Sequence, residues 1–168
     1  MNPKLFSNSE LKSAGFTLVE LIFVILIMGI LAVSVIPKWT GTSLGVEFEA
    51  RRLVNVIRYT QALSVATGQR YRWVKVSSSS YSILNQSGTA IILPSGGTIL
   101  TLSNNVSIGS LSNLPDSLVA FDSQGVPYTT SSTPGTTLGS TAGIPMTSSG
   151  GQTRTVQITP STGYVGLA

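Results

Sequence analysis

Few side chains in this sequence could do chemistry. It has no histidine and no cysteine, which removes imidazole bases, thiolate nucleophiles, disulfides and the common zinc sites. The carboxylates beyond residue 40 are Glu47, Glu49, Asp116 and Asp122. A pair of such groups held across a glycosidic bond could hydrolyse it. Here two fall on one expected helix and two on expected loops, and Asp122 before "SQG" reads as a turn residue. No phosphate-binding loop, metal cluster or activated serine accompanies them. The expectation is no enzyme activity, no metal and no cofactor.

A second group could bind rather than react. Arg70, Arg72 and Lys75 alternate with Tyr71 and Trp73 in "RYRWVKV". A strand of that kind could hold a phosphate backbone and stack bases on its rings. The plainer reading packs alternate residues inward and leaves the basic ones in water.

Glu20 stands apart from all of these. It lies in "KSAGFTLVELIFVILIMGILAVSVIPKW", inside an apolar run from residue 16 to 36. A helix of that length covers roughly 30 Å, the thickness of a hydrocarbon core. Lys4 and Lys12 precede it, which sets the amino terminus on the cytoplasmic side. Lys38 and Trp39 follow it and suit the far interface. Three readings compete: a signal peptide cut near "AVS", an uncleaved anchor, and cleavage between Gly15 and Phe16. A carboxylate near mid-helix costs roughly 2.5 to 3.5 kcal/mol on insertion, and a plain anchor gains nothing from it. Cleavage after Gly15 frees an α-amine on Phe16, one turn from Glu20 and cationic near neutral pH. That amine can pair with Glu20 of the same or a neighbouring chain. Glu20 therefore favours the third reading.

These residues resemble a known family. "GFTLVE" is similar to the prepilin signature of type IV pilins and type II secretion pseudopilins. The resemblance implies cleavage after Gly15 by a prepilin peptidase, which also acts as the N-methyltransferase of Phe16. It implies an assembly role for Glu20 and a helix bend at Pro37, a residue that equally marks the end of a membrane helix. It covers the first quarter of the chain.

The rest of the chain must carry a domain. Its 168 residues suit one domain and an anchor, and only 10% of residues are charged, with a net charge of +4. That excess is too weak to mark a nucleic-acid binder. After "TGTSLG", Val46, Ala50, Leu53, Val54, Ile57, Gln61 and Val65 recur at helical spacing, predicting an amphipathic helix over about 46–66 that stops at Thr67–Gly68. Arg51, Arg52 and Arg58 read as its solvated face. Strand patterns follow at "RYRWVKV", "YSILN", "TAIILP", "TILTL", "NVSIG", "SLVAFD", "RTVQITP" and "YVGLA", with turn signals between them. The stretch 129–152 is of low complexity and reads as a long exposed loop.

The expected fold class is α+β and pilin-like, a long amino-terminal helix packed on antiparallel sheet. "AFDSQGVP" and "RTVQITPSTGYV" resemble the GspH/FimT subgroup of minor pilins and pseudopilins, and "IPKWTGTSL" resembles MSHA-type minor pilins. Some FimT-like subunits bind DNA through a basic motif near the carboxy terminus. Here only Arg154 lies nearby. The expected organisation is a leader at 1–15, a transmembrane and assembly helix at 16–39, a linker and helix at 40–66, and a β domain at 67–168. The expected function is that of a minor pilin or pseudopilin. It would initiate, cap or decorate a type IV pilus or a type II secretion pseudopilus. Its expected place is the inner membrane, globular domain periplasmic, and then the filament. Its expected partners are the peptidase, other pilins or pseudopilins, the inner-membrane assembly platform and membrane lipid. A DNA-binding or adhesive tip subunit, and an anchored periplasmic domain unrelated to filaments, are the alternatives.

Overall fold

The computed structural model describes residues 16–35, 42–93, 96–103 and 105–168. Gly15 and Pro37 lie outside them. The chain forms two compact units, dividing between Lys38 and Trp39.

In the first unit, α1 spans Leu18–Val35. Its start is written in "TLVE". Thr17 Oγ1 accepts the N–H of Glu20 at 3.2 Å, and the Thr17 carbonyl accepts the N–H of Leu21 at 3.1 Å. Thr17 is thus the N-cap, and Glu20 the N3 acid that a capping box and the helix dipole both favour. Over residues 18–30 apolar side chains line every side of α1, with exposures from 44% at Val24 to 74% at Leu18. Its 18 residues rise about 27 Å. Among the described residues no helix is long and apolar enough to cross a membrane. The apolar run in the sequence goes on to Ile36, beyond the described helix.

The second unit holds α2 (Thr42–Thr67) and nine strands: β1 (Tyr71–Ser77), β2 (Ser80–Leu84), β3 (Ile99–Thr101), β4 (Val106–Ile108), β5 (Leu118–Phe121), β6 (Pro127–Tyr128), β7 (Ala142–Ser148), β8 (Thr153–Ile158) and β9 (Val165–Leu167). The strands make two antiparallel sheets, ordered β3-β2-β1-β5-β6 and β4-β7-β8-β9. α2 packs against β1 and β5 of the first and all four strands of the second. The expected α+β class holds.

α2 begins four residues before the predicted start, so part of "TGTSLG" is helical. Its buried stripe is Val46, Ala50, Leu53, Ile57, Thr60 and Ser64, a 4-3-4-3-4 spacing that tracks the helical repeat. The last two replace Gln61 and Val65 of the predicted face, and Val65 is 52% exposed. Their hydroxyls are bonded to backbone carbonyls one turn back, Thr60 to Val56 at 2.8 Å and Ser64 to Thr60 at 3.1 Å, so burial leaves no donor unpaired. Ser64 Oγ also accepts the N–H of Tyr71 at 3.0 Å, fixing where β1 starts. Gly68, at φ +69°, ends α2 in the left-handed conformation that a C-cap favours.

Two strand expectations fail. "TAIILP" gives only an isolated bridge between Ala90 and Leu84. The stretch 129–152 is no plain loop, because β7 runs through it as a central strand of the second sheet. Ala142, Ile144 and Met146 alternate into the core and are fully buried. Pro145 disguised the pattern, since proline is rare in central strands. Its carbonyl faces the N–H of Gly109 at 2.8 Å, just past the end of β4. The missing proline N–H therefore falls where the ladder has already stopped.

The core between helix and sheets is closed by Trp73, Tyr81, Ile83, Val119 and Phe121 on one side and by Ile144, Met146, Val156 and Ile158 on the other, all fully buried. The Trp73 and Tyr81 rings sit 5.8 Å apart at 43°, a tilted contact favoured by aromatic quadrupoles. Burial pushes the Tyr81 phenol above its ordinary range.

Candidate functional site: the amino-terminal motif and the helix latch

The amino-terminal residues meet at the start of α1. Phe16 is 79% exposed and directly precedes the N-cap Thr17. Glu20 occupies the first turn, exposed, with its backbone N–H bonded to Thr17. Phe16 and Glu20 therefore stand at the end of the helix where N–H groups are unpaired and the dipole is positive. A carboxylate is favoured there even before any partner arrives.

The basic strand does not make the surface that a nucleic-acid reading needs. Trp73 is fully buried and offers no face for a base. Arg70 is 9% exposed. Its guanidinium lies over the Tyr128 ring, 4.1 Å from the centroid, and donates to the Ser132 carbonyl. Lys75 Nζ donates to the Gly109 carbonyl at 2.7 Å, tying β1 to the loop beyond β4. Arg72 lies against the β2 turn, with a nitrogen 3.0 Å from where a Cβ on Gly88 would sit. Arg70 and Lys75 thus have partners within the fold.

Sequence reasoning missed a latch between α2 and the carboxy-terminal strands. Arg58, expected in solvent, donates twice to the Val165 carbonyl, at 3.1 and 2.7 Å, with Tyr164 beside it at 5.7 Å. Gln61 Nε2 donates to the carbonyls of Gly125 and Thr162 at 2.8 and 3.0 Å. The turns it grips are "DSQG" and "PSTG", the segments that carry the GspH/FimT resemblance. Their shared signal was two Asx- and Thr-rich turns, each with a glycine. Asp122 Oδ1 shapes the first by accepting the N–H of Gln124 and of Val126, both at 2.9 Å.

The acids have structural partners as well. Glu47 accepts from Arg154 at 2.6 Å and from Arg51 at 2.7 Å. The Arg154 bond, then the Arg51 bond, hold its carboxyl below the usual range. Glu49 is 2% exposed and accepts from Ser103 Oγ at 2.6 Å and its N–H at 3.2 Å. Arg52 stands 3.5 Å away. Asp116 and Asp122 sit apart on loops. Among the described residues no group of three or more acids gathers as a metal site would require.

Comparison with known proteins bears on both ends of the molecule. Residues 11–36 match the prokaryotic N-terminal methylation motif. No curated protein matches the chain in sequence. The fold is similar to that of the type IV minor pilin FimU of Pseudomonas aeruginosa, with a TM-score of 0.53 at 13% identity, covering 76% of this chain and 91% of that one. It is also similar to EpsH, a minor pseudopilin of the Type 2 Secretion System of Vibrio cholerae. There the TM-score is 0.55 at 11% identity, covering 74% and 96%. At such identities the likeness speaks for the fold, and the motif speaks for the amino terminus. One end of the chain thus matches the N-terminal methylation motif, and its fold is similar to those of FimU and EpsH.

Proposed function

We propose that this protein is a minor pilin or pseudopilin, a structural subunit of a type IV pilus or a type II secretion pseudopilus. One observation carries the reading: a single chain joins the methylation motif at 11–36 to a globular domain with the minor-pilin fold. A prepilin peptidase cuts between Gly15 and Phe16 and methylates the new Phe16 amine. The apolar segment holds the chain in the inner membrane, among lipid, with the globular domain in the periplasm. The assembly platform then moves it into the filament, where it initiates, caps or decorates the assembly.

Glu20 gives the step its energetic logic. At the centre of a membrane helix a carboxylate costs roughly 2.5 to 3.5 kcal/mol, and the first-turn place of Glu20 lowers that cost without removing it. The cationic amine of Phe16 offsets that cost on a neighbouring helix, so the charge pair sets the register at which subunits join. In this reading the protein serves as a scaffold, with Glu47 and Glu49 engaged in ion pairs and hydrogen bonds of the fold and Asp122 in a turn.

Mass spectrometry of the amino terminus of the protein recovered from membranes tests the reading. The expected species begins at Phe16 and carries an added methyl group. A mature chain that begins at Met1, or that lacks residues 16–36, refutes it.

A further inference from the structure

A groove of about 330 Å³ lies between α2 and the β8–β9 hairpin, within the size range of a small-ligand site. Arg51, Asn55 and Arg58 form its helix wall. Their spacing of four and three residues sets all three on one face of α2. Tyr164 and Gly166 form the opposite wall.

The groove is cationic. Arg58 spends Nε and Nη2 on the Val165 carbonyl, a neutral acceptor, so its charge is uncompensated and Nη1 is left to donate. Arg51 pairs with Glu47, but Glu47 also pairs with Arg154, so that trio keeps one positive charge. The lining itself contains no acid.

Tyr164 adds an apolar face. Its ring is open to solvent, at 62% exposure, yet its backbone is fixed. The Tyr164 N–H donates to Thr162 Oγ1 at 3.3 Å, and its carbonyl accepts the N–H of Thr159 at 2.9 Å. A Cβ on residue 166 would come within 3.1 Å of the ring, so glycine there lets the ring lie along β9.

Such a site suits a ring that carries hydroxyls and a carboxylate. The ring seats on Tyr164, the acid takes charge-assisted hydrogen bonds from the guanidiniums, and hydroxyls meet the Asn55 amide, which both donates and accepts. Arg51 and Arg58 stand two helical turns apart, roughly 10 Å along the axis. One carboxylate does not span that distance, so the ligand presents successive acids. Two other ligands fit worse. An extended peptide would add to the edge of β9, where Arg58 already occupies the Val165 carbonyl. A nucleic-acid strand needs a run of rings and cations. The groove has one ring, and Arg70 and Lys75 of β1 are bonded elsewhere. We propose that this groove binds an acidic oligosaccharide of the uronate type, with Tyr164 as its platform and Arg51 and Arg58 as its carboxylate contacts. The site needs only the folded domain and stands apart from the pilin reading.

Saturation-transfer NMR on the full chain in detergent tests it. Tetragalacturonate is the probe, maltotetraose its uncharged counterpart and a thymidine hexanucleotide the nucleic-acid arm. Saturation is expected to reach tetragalacturonate. Tyr164→Ala should raise its Kd roughly tenfold, a loss equivalent to one good contact, with the unfolding midpoint unchanged. Arg51→Gln should also raise the Kd, and it leaves the Arg58 latch in place. No saturation of tetragalacturonate, equal saturation of maltotetraose, tighter binding of the hexanucleotide, or a Kd that either substitution leaves unmoved overturns the proposal.

Discussion

Gln61 and Gly163 meet so closely that a methyl group on residue 163 would lie 2.6 Å from Gln61 Nε2 and 2.6 Å from the Gly125 carbonyl oxygen. Gly163 also has φ +63°, where a Cβ is strained. The pair locks α2 to the two turns that close the carboxy-terminal half.

Gly163→Ala should therefore destabilise the domain by about 2 kcal/mol or more, from overpacking and backbone strain combined. Gly139→Ala is the control, because Gly139 is exposed and has nothing within 4 Å of its added Cβ. Urea unfolding of the full chain in detergent should separate the two variants. Equal midpoints would refute the close-contact account.

Replacing Gln61 tests the other side of the same lock. Gln61→Ala removes two hydrogen bonds, each contributing about 1 kcal/mol net. Gln61→Glu should cost more at neutral pH, since it sets a carboxylate against two carbonyl oxygens. As the pH is lowered and the carboxyl gains a proton, part of that loss should return, which an unfolding series between pH 7 and 4 would detect.

Glu47 should make the junction of α2 and β8 acid-sensitive. Its folded pKa lies below the ordinary value of 4.5. Its contribution is thus complete above that value and is lost as pH falls through the lower folded one. The bridge is half in solvent, so the effect is small, about 1 kcal/mol or less. Glu47→Gln should flatten this part of the stability profile, lowering the midpoint slightly at pH 7 and matching the parent protein below the folded pKa. Arg154→Ala should do the same.

Glu20 has a local use as well as an assembly use, and the amide separates them. Gln serves at N3 of a capping box as Glu does. Glu20→Gln should therefore keep α1 and its processing while failing to enter filaments, measured as the ratio of membrane to filament-associated protein. Normal incorporation would remove the charge pair from the mechanism. Gly15→Val should leave intact precursor in membranes with no effect on the globular domain.

Arg70→Ala should lower the unfolding midpoint, because it removes the stacking on Tyr128 and leaves the Ser132 carbonyl unbonded. Cation–π contacts of this kind are worth about 0.5 to 2 kcal/mol. Arg72→Ala should cost less. If the Arg70 variant instead kept full stability and lost salt-dependent DNA binding, the structural account of β1 would be wrong.

Much of this architecture could be read from residue types. The apolar run and the 46–57 stripe of α2 follow from their periods, and β1, β5 and β8 from β-rich runs bounded by turn residues. What escaped did so for physical reasons. Thr60 and Ser64 look polar, yet a hydroxyl bonded back to its own helix is quiet in a core. β7 hides behind a proline whose lost donor would face the Gly109 carbonyl, which Lys75 Nζ bonds instead. Arg58 and Gln61 grip backbone carbonyls, and a carbonyl is present at every position, so no pattern of side chains announces them. At the amino terminus Glu20 was conspicuous because its charge opposes everything around it.

The placement of contacts along α2 has a mechanical consequence. Glu47 reaches β8 near one end, Arg58 reaches β9 further on, and Gln61 holds two turns near the other end. A tug along the helix axis loads these ties in shear, all at once, rather than peeling them open in succession. Tension entering at residue 42 is therefore shared between both sheets.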